Sequence, residues 1–278
     1  MNESTRSNLL NDSEILLIKK QARDKLNECS KLNDVIGSQI FSILGLYSRV
    51  LHYPIDADGP WGFTCISTSS KPFVLINSSI SMDKQIFAAA HELYHIWFES
   101  SGVDYIPPSV LGDVDETGIA LSNLELRANR FAAEFLVEEK LLEQEMYTYS
   151  VKANGINEKD VLWLASHFMV PYEMMVKRLF EISAIKNKDR ESFLNVKPET
   201  ITQLRRRYSI TMPEADNRIS LENLVELAAN AYESRKITYE KLTYLLSLTK
   251  MRPEDIGISD KIEYVPPTDA DLDSIMEE

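Results

Sequence analysis

An H-E-x-x-H segment at residues 91–95 holds the residue types and the spacing that predict chemistry in this chain. On a helix, His91 and His95 are four residues apart and share one face, so both imidazoles can bind the same metal ion. Glu92 lies about 100° round the helix from His91. Its carboxylate can therefore accept a proton from a metal-bound water that attacks a peptide carbonyl.

The alternative interpretation of this segment is a surface helix with two solvated histidines. Ala88 to Ala90 precede the motif, and Ile96, Trp97 and Phe98 follow it. These apolar neighbours favour a buried helix, in which unpaired polar side chains are costly. A metal ion would supply the partners that two histidines and a glutamate need.

A catalytic zinc takes three protein ligands, so a third ligand must come from outside the motif. The third histidine of an H-E-x-x-H-x-x-G-x-x-H site, ten residues after His91, is excluded because that residue is Ser101. Residues 121–136 have the apolar period of a helix, and Glu125 and Asn129 flank its apolar stripe one turn apart. Glu125 is thus a candidate ligand, and Asn129 could orient a ligand by hydrogen bonding. An ordinary exposed glutamate is the competing interpretation.

Three segments resemble the ImmA/IrrE family of metallopeptidases, which are similar to gluzincins. They are Val-Leu-Ile-Asn-Ser at 74–78, Lys-Gln-Ile-Phe-Ala-Ala-Ala-His-Glu-Leu-Tyr-His at 84–95 and Glu-Leu-Arg-Ala-Asn-Arg-Phe-Ala at 125–132. The resemblance spans roughly residues 60–185 and is more specific than the H-E-x-x-H segment alone. It implies that His91, His95 and Glu125 bind one zinc ion per chain and that Glu92 is the general base. Manganese or iron could occupy the same ligands.

The resemblance also implies a function, that of a zinc-dependent endopeptidase with a protein substrate. Typical substrates in the family are separately encoded helix-turn-helix repressors, often on a mobile element, whose cleavage regulates transcription. The alternative is a catalytically silent protein with the peptidase fold, which holds structural zinc and regulates its partner by binding. Tyr94, where the family often has glycine, favours that alternative by placing a large ring beside the metal. Arg127 is a second departure, and the intact Glu92 favours catalysis.

Further residues are weaker candidates for the site. The resemblance suggests that a strand beside the metal helix pairs with an extended substrate, which makes Phe73, Leu75 and Asn77 candidate substrate contacts. Tyr94 and Tyr105 are further candidates for substrate binding, although a lone tyrosine such as Tyr105 is more often a packing residue. His167 could donate to an oxyanion, but a histidine beside Phe168 is more often structural.

Composition limits the partners and the location of the protein. The formal net charge is −13, so we expect repulsion from nucleic-acid phosphates and from anionic membranes. No apolar run is long enough to cross a bilayer. Cys29 and Cys65 are the only cysteines, which is typical of a reducing cytoplasm. We therefore expect a cytoplasmic protein with no membrane partner and no direct nucleic-acid binding.

The order of elements predicts a mainly α, α+β fold, with metal-bearing helices, a small β-sheet edge and a C-terminal helical module. Helices are expected at 14–29 and 32–50, and strands at 61–67 and 72–77. The expected domains are a flexible N-terminus at 1–12, a peptidase domain at 13–190, a helical module at 191–262 and an acidic disordered tail at 263–278.

Overall fold

A computed structural model of the protein describes residues 10–65, 71–99, 123–153, 155–221 and 223–259. It confirms the mainly α, α+β class. The described residues form two compact units, which divide after residue 222. The helices of the first unit are α1 (Asp12–Glu28), α2 (Ile40–Tyr47), α3 (Met82–Phe98), α4 (Asn123–Leu136), α5 (Glu139–Thr148), α6 (Glu158–Phe168), α7 (Tyr172–Glu181), α8 (Asn187–Leu194) and α9 (Pro198–Arg207). None of the described helices is long and apolar enough to cross a membrane.

The first unit contains a mixed sheet with the strand order β2-β3-β1-β4. Its strands are β1 (Arg49–Tyr53), β2 (Gly62–Cys65), β3 (Phe73–Asn77) and β4 (Ser220–Leu221). β3 pairs with β2 in the antiparallel direction and with β1 in the parallel direction. Within the described part of the chain, β2 is therefore one edge of the sheet and β3 is a central strand.

The two predicted strands are present as β2 and β3, but the predicted helix at 32–50 is wrong in extent. Helix α2 covers only Ile40–Tyr47, after a single 3-10 turn at Gly37–Gln39. The residues that follow the helix, Arg49–Tyr53, form the strand β1. Because Val50 and His52 are buried and alternate with more exposed neighbours, the side-chain period along this segment is that of a strand.

Helix α3 lies at the centre of the first unit and contacts α2, α4, β2 and β3. Ala88, Ala89 and Ala90 are fully buried, and their small side chains allow neighbouring elements to approach closely. Helix α4 contacts α3 through Ala128, Phe131 and other buried residues of its apolar stripe. The helix that carries His91 and His95 is consequently enclosed by packed elements.

The second unit contains helices α10 (Leu224–Glu233) and α11 (Tyr239–Ser247) and a 3-10 turn at Pro253–Ile256. Ala228, Leu242 and Leu246 form its own small core. Residues 191–221, which the sequence assigns to the C-terminal module, belong instead to the first unit. Phe193 is buried in the core of that unit, and Ile201 packs against the same core, which explains the grouping. The expected tail at 263–278 lies outside the described residues, as do residues 1–9 of the expected N-terminus.

Candidate metal centre

The imidazole rings of two histidines of α3 lie side by side inside the protein. His91 and His95 are fully buried, and their Nε2 atoms are 3.0 Å apart. Glu125 of α4, which is also buried, brings Oε2 to 3.1 Å from Nε2 of His91 and Oε1 to 3.6 Å from Nε2 of His95. Helices α3 and α4 thus bring together the three residues that the sequence singled out as ligands.

A carboxylate and an amide fix the orientation of the two rings. Nδ1 of His91 is 2.8 Å from Oδ1 of Asn129, and Nδ1 of His95 is 2.7 Å from Oε2 of Glu99. A carboxylate or carbonyl oxygen can only accept, so each Nδ1 carries the proton and donates it. Each Nε2 is then left with a lone pair, and both lone pairs point toward Glu125.

This donor set fits a small divalent cation. Ligand atoms about 2.0 to 2.1 Å from a tetrahedral zinc ion lie about 3.3 Å from one another. The two Nε2 atoms are 3.0 Å apart, and the two carboxylate oxygens lie 3.1 Å from His91 and 3.6 Å from His95, each within a few tenths of an ångström of that value. Two imidazole lone pairs and a carboxylate repel one another in a buried place unless a positive charge lies between them. Hence His91, His95 and Glu125 are a group that could hold a metal ion.

The negative charges around His91 also favour a cation at the site. Burial by itself favours the neutral form of His91. When His91 is protonated, its Nε2–H can donate to Glu125, and this hydrogen bond together with the negative charges of Glu92 and Glu125 outweighs burial, so the pKa of His91 is raised. The surroundings of His91 therefore stabilise a positive charge, which either a proton or a metal ion can supply.

Glu92 is fully buried and faces the edge strand β2. Its Oε2 accepts a hydrogen bond of 2.8 Å from Oγ1 of Thr64. Gly62 lies on the same face of β2, two residues earlier, where a β-carbon would be 3.4 Å from Oε1 of Glu92. The predicted base is therefore adjacent to both the metal-ligating helix face and the strand at the edge of the sheet.

The residues of β3 that were predicted to bind substrate have structural roles. Because β3 pairs with a strand on each side, a substrate cannot add to its backbone; among the described residues β2 is the edge strand next to it. Asn77 is fully buried; it donates to the carbonyls of Asp56 and Pro60 and accepts from the amide of Ile55. These bonds organise the turn that leads from β1 into β2. Phe73 and Leu75 are half-buried residues of the central strand.

Tyr94 is buried in the core, with only 3% of its surface exposed. Its ring packs against Phe98 at 5.3 Å and Phe131 at 5.4 Å between centroids, and its edge meets His95 at 5.9 Å. Arg127 forms a 2.6 Å ion pair with Glu14 of α1. These two departures from the family pattern are therefore accommodated by packing and by contact with α1.

His167 and Tyr105 complete the sequence-based candidates. His167 stacks on Trp163 with centroids 5.0 Å apart, and its Nε2 is 3.0 Å from Oε2 of Glu145. These described contacts of His167 join α5 to α6 and include no member of the metal-binding group, which supports the structural interpretation. Tyr105 lies outside the described residues.

Two residues of the site were missed from the sequence. Glu99 follows His95 by one helical turn, so its spacing was an available signal for the hydrogen bond. Thr64 gave no such signal, because only the packing of β2 against α3 brings it to Glu92.

The buried His-His-Glu group is the kind of metal site that a metallopeptidase uses. Residues 49–180 match the model of the family described as Peptidase_M78, the IrrE N-terminal-like domain. This match bears out the resemblance to the ImmA/IrrE family of metallopeptidases that the sequence shows. The comparison with curated proteins finds no match.

Proposed function

We propose that the protein is a zinc-dependent endopeptidase whose site is built from His91, His95, Glu125 and Glu92. The observation that carries the proposal is the convergence of three buried donor groups, two imidazoles and one carboxylate, next to a second buried carboxylate, that of Glu92. The family match supports a peptidase with a protein substrate. Zinc is the best-fitting ion, because two imidazoles and one carboxylate at these separations suit tetrahedral coordination.

Zinc, when bound, polarises the scissile carbonyl and makes the attacking water more acidic. Asn129 and Glu99 hold the imidazoles of His91 and His95 in the tautomer that leaves Nε2 available. Glu92 accepts the proton of the attacking water at its carboxylate and later delivers it to the leaving amine. The hydrogen bond from Thr64 keeps that carboxylate in place during both transfers.

In this proposal an extended substrate lies along β2, which is an edge strand of the sheet among the described residues. Backbone hydrogen bonds to an edge strand align an extended peptide without regard to its side chains. β2 supports this role because it is an edge strand among the described residues and also contacts Glu92. The substrate we propose is a separately encoded helix-turn-helix repressor in the cytoplasm, whose cleavage regulates transcription.

The catalytically silent alternative rests on Tyr94 as a ring beside the metal. That ring contacts His95 at 5.9 Å but packs more closely against Phe98 and Phe131, so core packing also accounts for it. A protein without turnover has no chemical need for a buried carboxylate at Glu92, whose burial is costly. Catalysis is therefore the better explanation of Glu92.

The experiment is co-expression of the protein with each helix-turn-helix repressor encoded beside its gene, using wild type and Glu92→Gln. The fragments are identified by mass spectrometry of their new N-termini. We expect cleavage of one repressor at one peptide bond by wild type and none by Glu92→Gln, although both hold zinc. Equal cleavage by Glu92→Gln, or no cleavage by zinc-loaded wild type, would contradict the proposal.

A further inference from the structure

The edge strand β2 contacts the proposed base through two neighbouring side-chain positions. Thr64 is fully buried, and its Oγ1 donates to Oε2 of Glu92 over 2.8 Å. The side-chain position of Gly62 faces the same carboxylate, because residues two apart on a strand share a face. A hydroxyl thus meets one carboxylate oxygen, and a position without a side chain lies beside the other.

A side chain at Gly62 would be crowded mainly by the neighbouring strand. A β-carbon there would be 3.1 Å from the carbonyl oxygen of Leu75, a tight contact, and 3.4 Å from Oε1 of Glu92, an ordinary contact. The backbone of β2 at Gly62 therefore lies beside the same carboxylate that accepts the hydrogen bond from Thr64.

The hydrogen bond matters because Glu92 has three rotatable side-chain bonds. A hydrogen bond to a charged acceptor in a dry interior is stronger than a neutral one, so it selects one orientation of the carboxylate. A general base must be within about 2.6 to 3.2 Å of the proton that it removes, and small displacements cost rate. We infer that Thr64 is a positioning residue that holds the carboxylate of Glu92 in the orientation needed for proton transfer. This inference rests on the proposed function.

A purely structural role for Thr64 makes a different prediction. Threonine is common in strands because of its β-branched shape, and valine has the same shape without the hydroxyl. If shape alone mattered, Thr64→Val would behave as wild type and Thr64→Ser would be worse. If the hydroxyl matters, the order is reversed.

The test uses acetohydroxamic acid as a probe of the zinc-loaded protein. A hydroxamic acid chelates a metal as its anion, so its hydroxyl proton must pass to a nearby base, here the carboxylate of Glu92. Its dissociation constant is measured by calorimetry for wild type, Thr64→Val, Thr64→Ser and Glu92→Gln, each with its zinc content. Crystal structures of the two Thr64 variants give the position of the carboxylate.

We expect Thr64→Val to bind the probe at least about tenfold more weakly, with the carboxylate displaced, and Thr64→Ser to stay within about twofold of wild type. All four proteins should hold one zinc. Wild-type affinity in Thr64→Val, or equal weakening in Thr64→Val and Thr64→Ser, would overturn the inference and leave the proposed function intact. Wild type that holds no zinc, and therefore does not bind the probe, would overturn both.

Discussion

Each imidazole of the proposed metal centre has a hydrogen-bond partner at its Nδ1 atom. Asn129 on α4 accepts from His91, and Glu99, just beyond the end of α3, accepts from His95. The carboxylate of Glu99 is the stronger acceptor, because it is charged. Its negative charge also makes the ring of His95 a better donor to a cation. At the scale of single residues, the site therefore depends on groups that never touch the metal.

The residue-scale prediction concerns Glu99. Replacing it in Glu99→Ala removes the acceptor that fixes the ring of His95, so the dissociation constant for zinc should rise by about 10- to 100-fold. Competition with a chromogenic chelator measures this constant. Glu143→Ala is the matched control, because Glu143 is an exposed glutamate of α5. An unchanged zinc affinity in Glu99→Ala would show that Glu99 does not orient His95.

At the scale of elements, the carboxyl end of α4 is tied to α7 by a buried charge network. Arg178 of α7 is fully buried; it donates to the carbonyl of Val137 over 2.8 Å and forms an ion pair with Glu134. Glu181 contacts Arg178 at 3.0 Å and Arg130 of α4 at 2.8 Å. Because α4 carries Glu125 near its other end, this network fixes the helix that supplies the third proposed ligand.

The element-scale prediction is the cost of breaking this network. Arg178→Ala leaves Glu134 buried with one partner fewer, and removing one member of a buried ion pair costs about 3 to 5 kcal/mol of unfolding free energy. Urea denaturation measures the loss. Arg23→Ala serves as the control. The Arg23 side chain is 48% exposed, and its ion pair with Glu138 is long, at 3.9 Å, so the change in stability should be about 1 kcal/mol at most. A loss for Arg178→Ala no larger than that of the control would show that the network contributes little.

At the scale of the whole molecule, the pH dependence of stability has an identifiable source at His52 on β1. Burial and the nearby positive charge of Arg218 lower the pKa of His52 to about 4. The rings of His52 and Phe41 pack edge to face with centroids 4.9 Å apart. The guanidinium of Arg218 lies over the Phe41 ring, 4.9 Å from its centroid. A proton on His52 would therefore be buried near another cation in the folded state.

The predicted consequence is a loss of stability in mild acid. Between pH 6.5 and about 4 the unfolded chain binds a proton at His52 and the folded chain does not, so unfolding free energy falls as the pH is lowered. The slope from this one residue approaches about 1.4 kcal/mol per pH unit. Denaturation of wild type and His52→Gln at pH 7.0 and pH 5.0 measures it. Parallel losses in both proteins would exclude His52 as the source, whereas a smaller loss in His52→Gln is expected.

The sequence predicts the helices of the site better than its strands. His91, His95, Glu125 and Asn129 lie on two helices, and helical period alone indicates which side chains share a face. The strand β1 was missed because Ile40, Phe41, Leu44 and Leu51 fit one helical period, and no proline interrupts the segment before Pro54. The hydrogen bond between Thr64 and Glu92 could not be predicted, because it depends on how the sheet packs against α3.

The same limit applies to domain boundaries. Residues 191–221 look like the start of a helical module, since Pro198 and Pro213 break the preceding pattern. In the structure this segment returns to the first unit: the amide of Met82 donates to the carbonyl of Glu214, and β4 pairs with β1. The placement of this segment depends on contacts between residues far apart in the chain, which local sequence patterns do not reveal.

The central claim is that His91, His95 and Glu125 hold one catalytic zinc ion, and zinc content tests it most directly. The measurement is plasma mass spectrometry of purified wild type, Glu125→Ala and the surface control Glu143→Ala, after dialysis against zinc and then against a weak chelator. We expect one zinc per chain in wild type and in Glu143→Ala, and essentially none in Glu125→Ala. Wild type without zinc, or Glu125→Ala that keeps its full zinc content, would contradict the proposed metal centre.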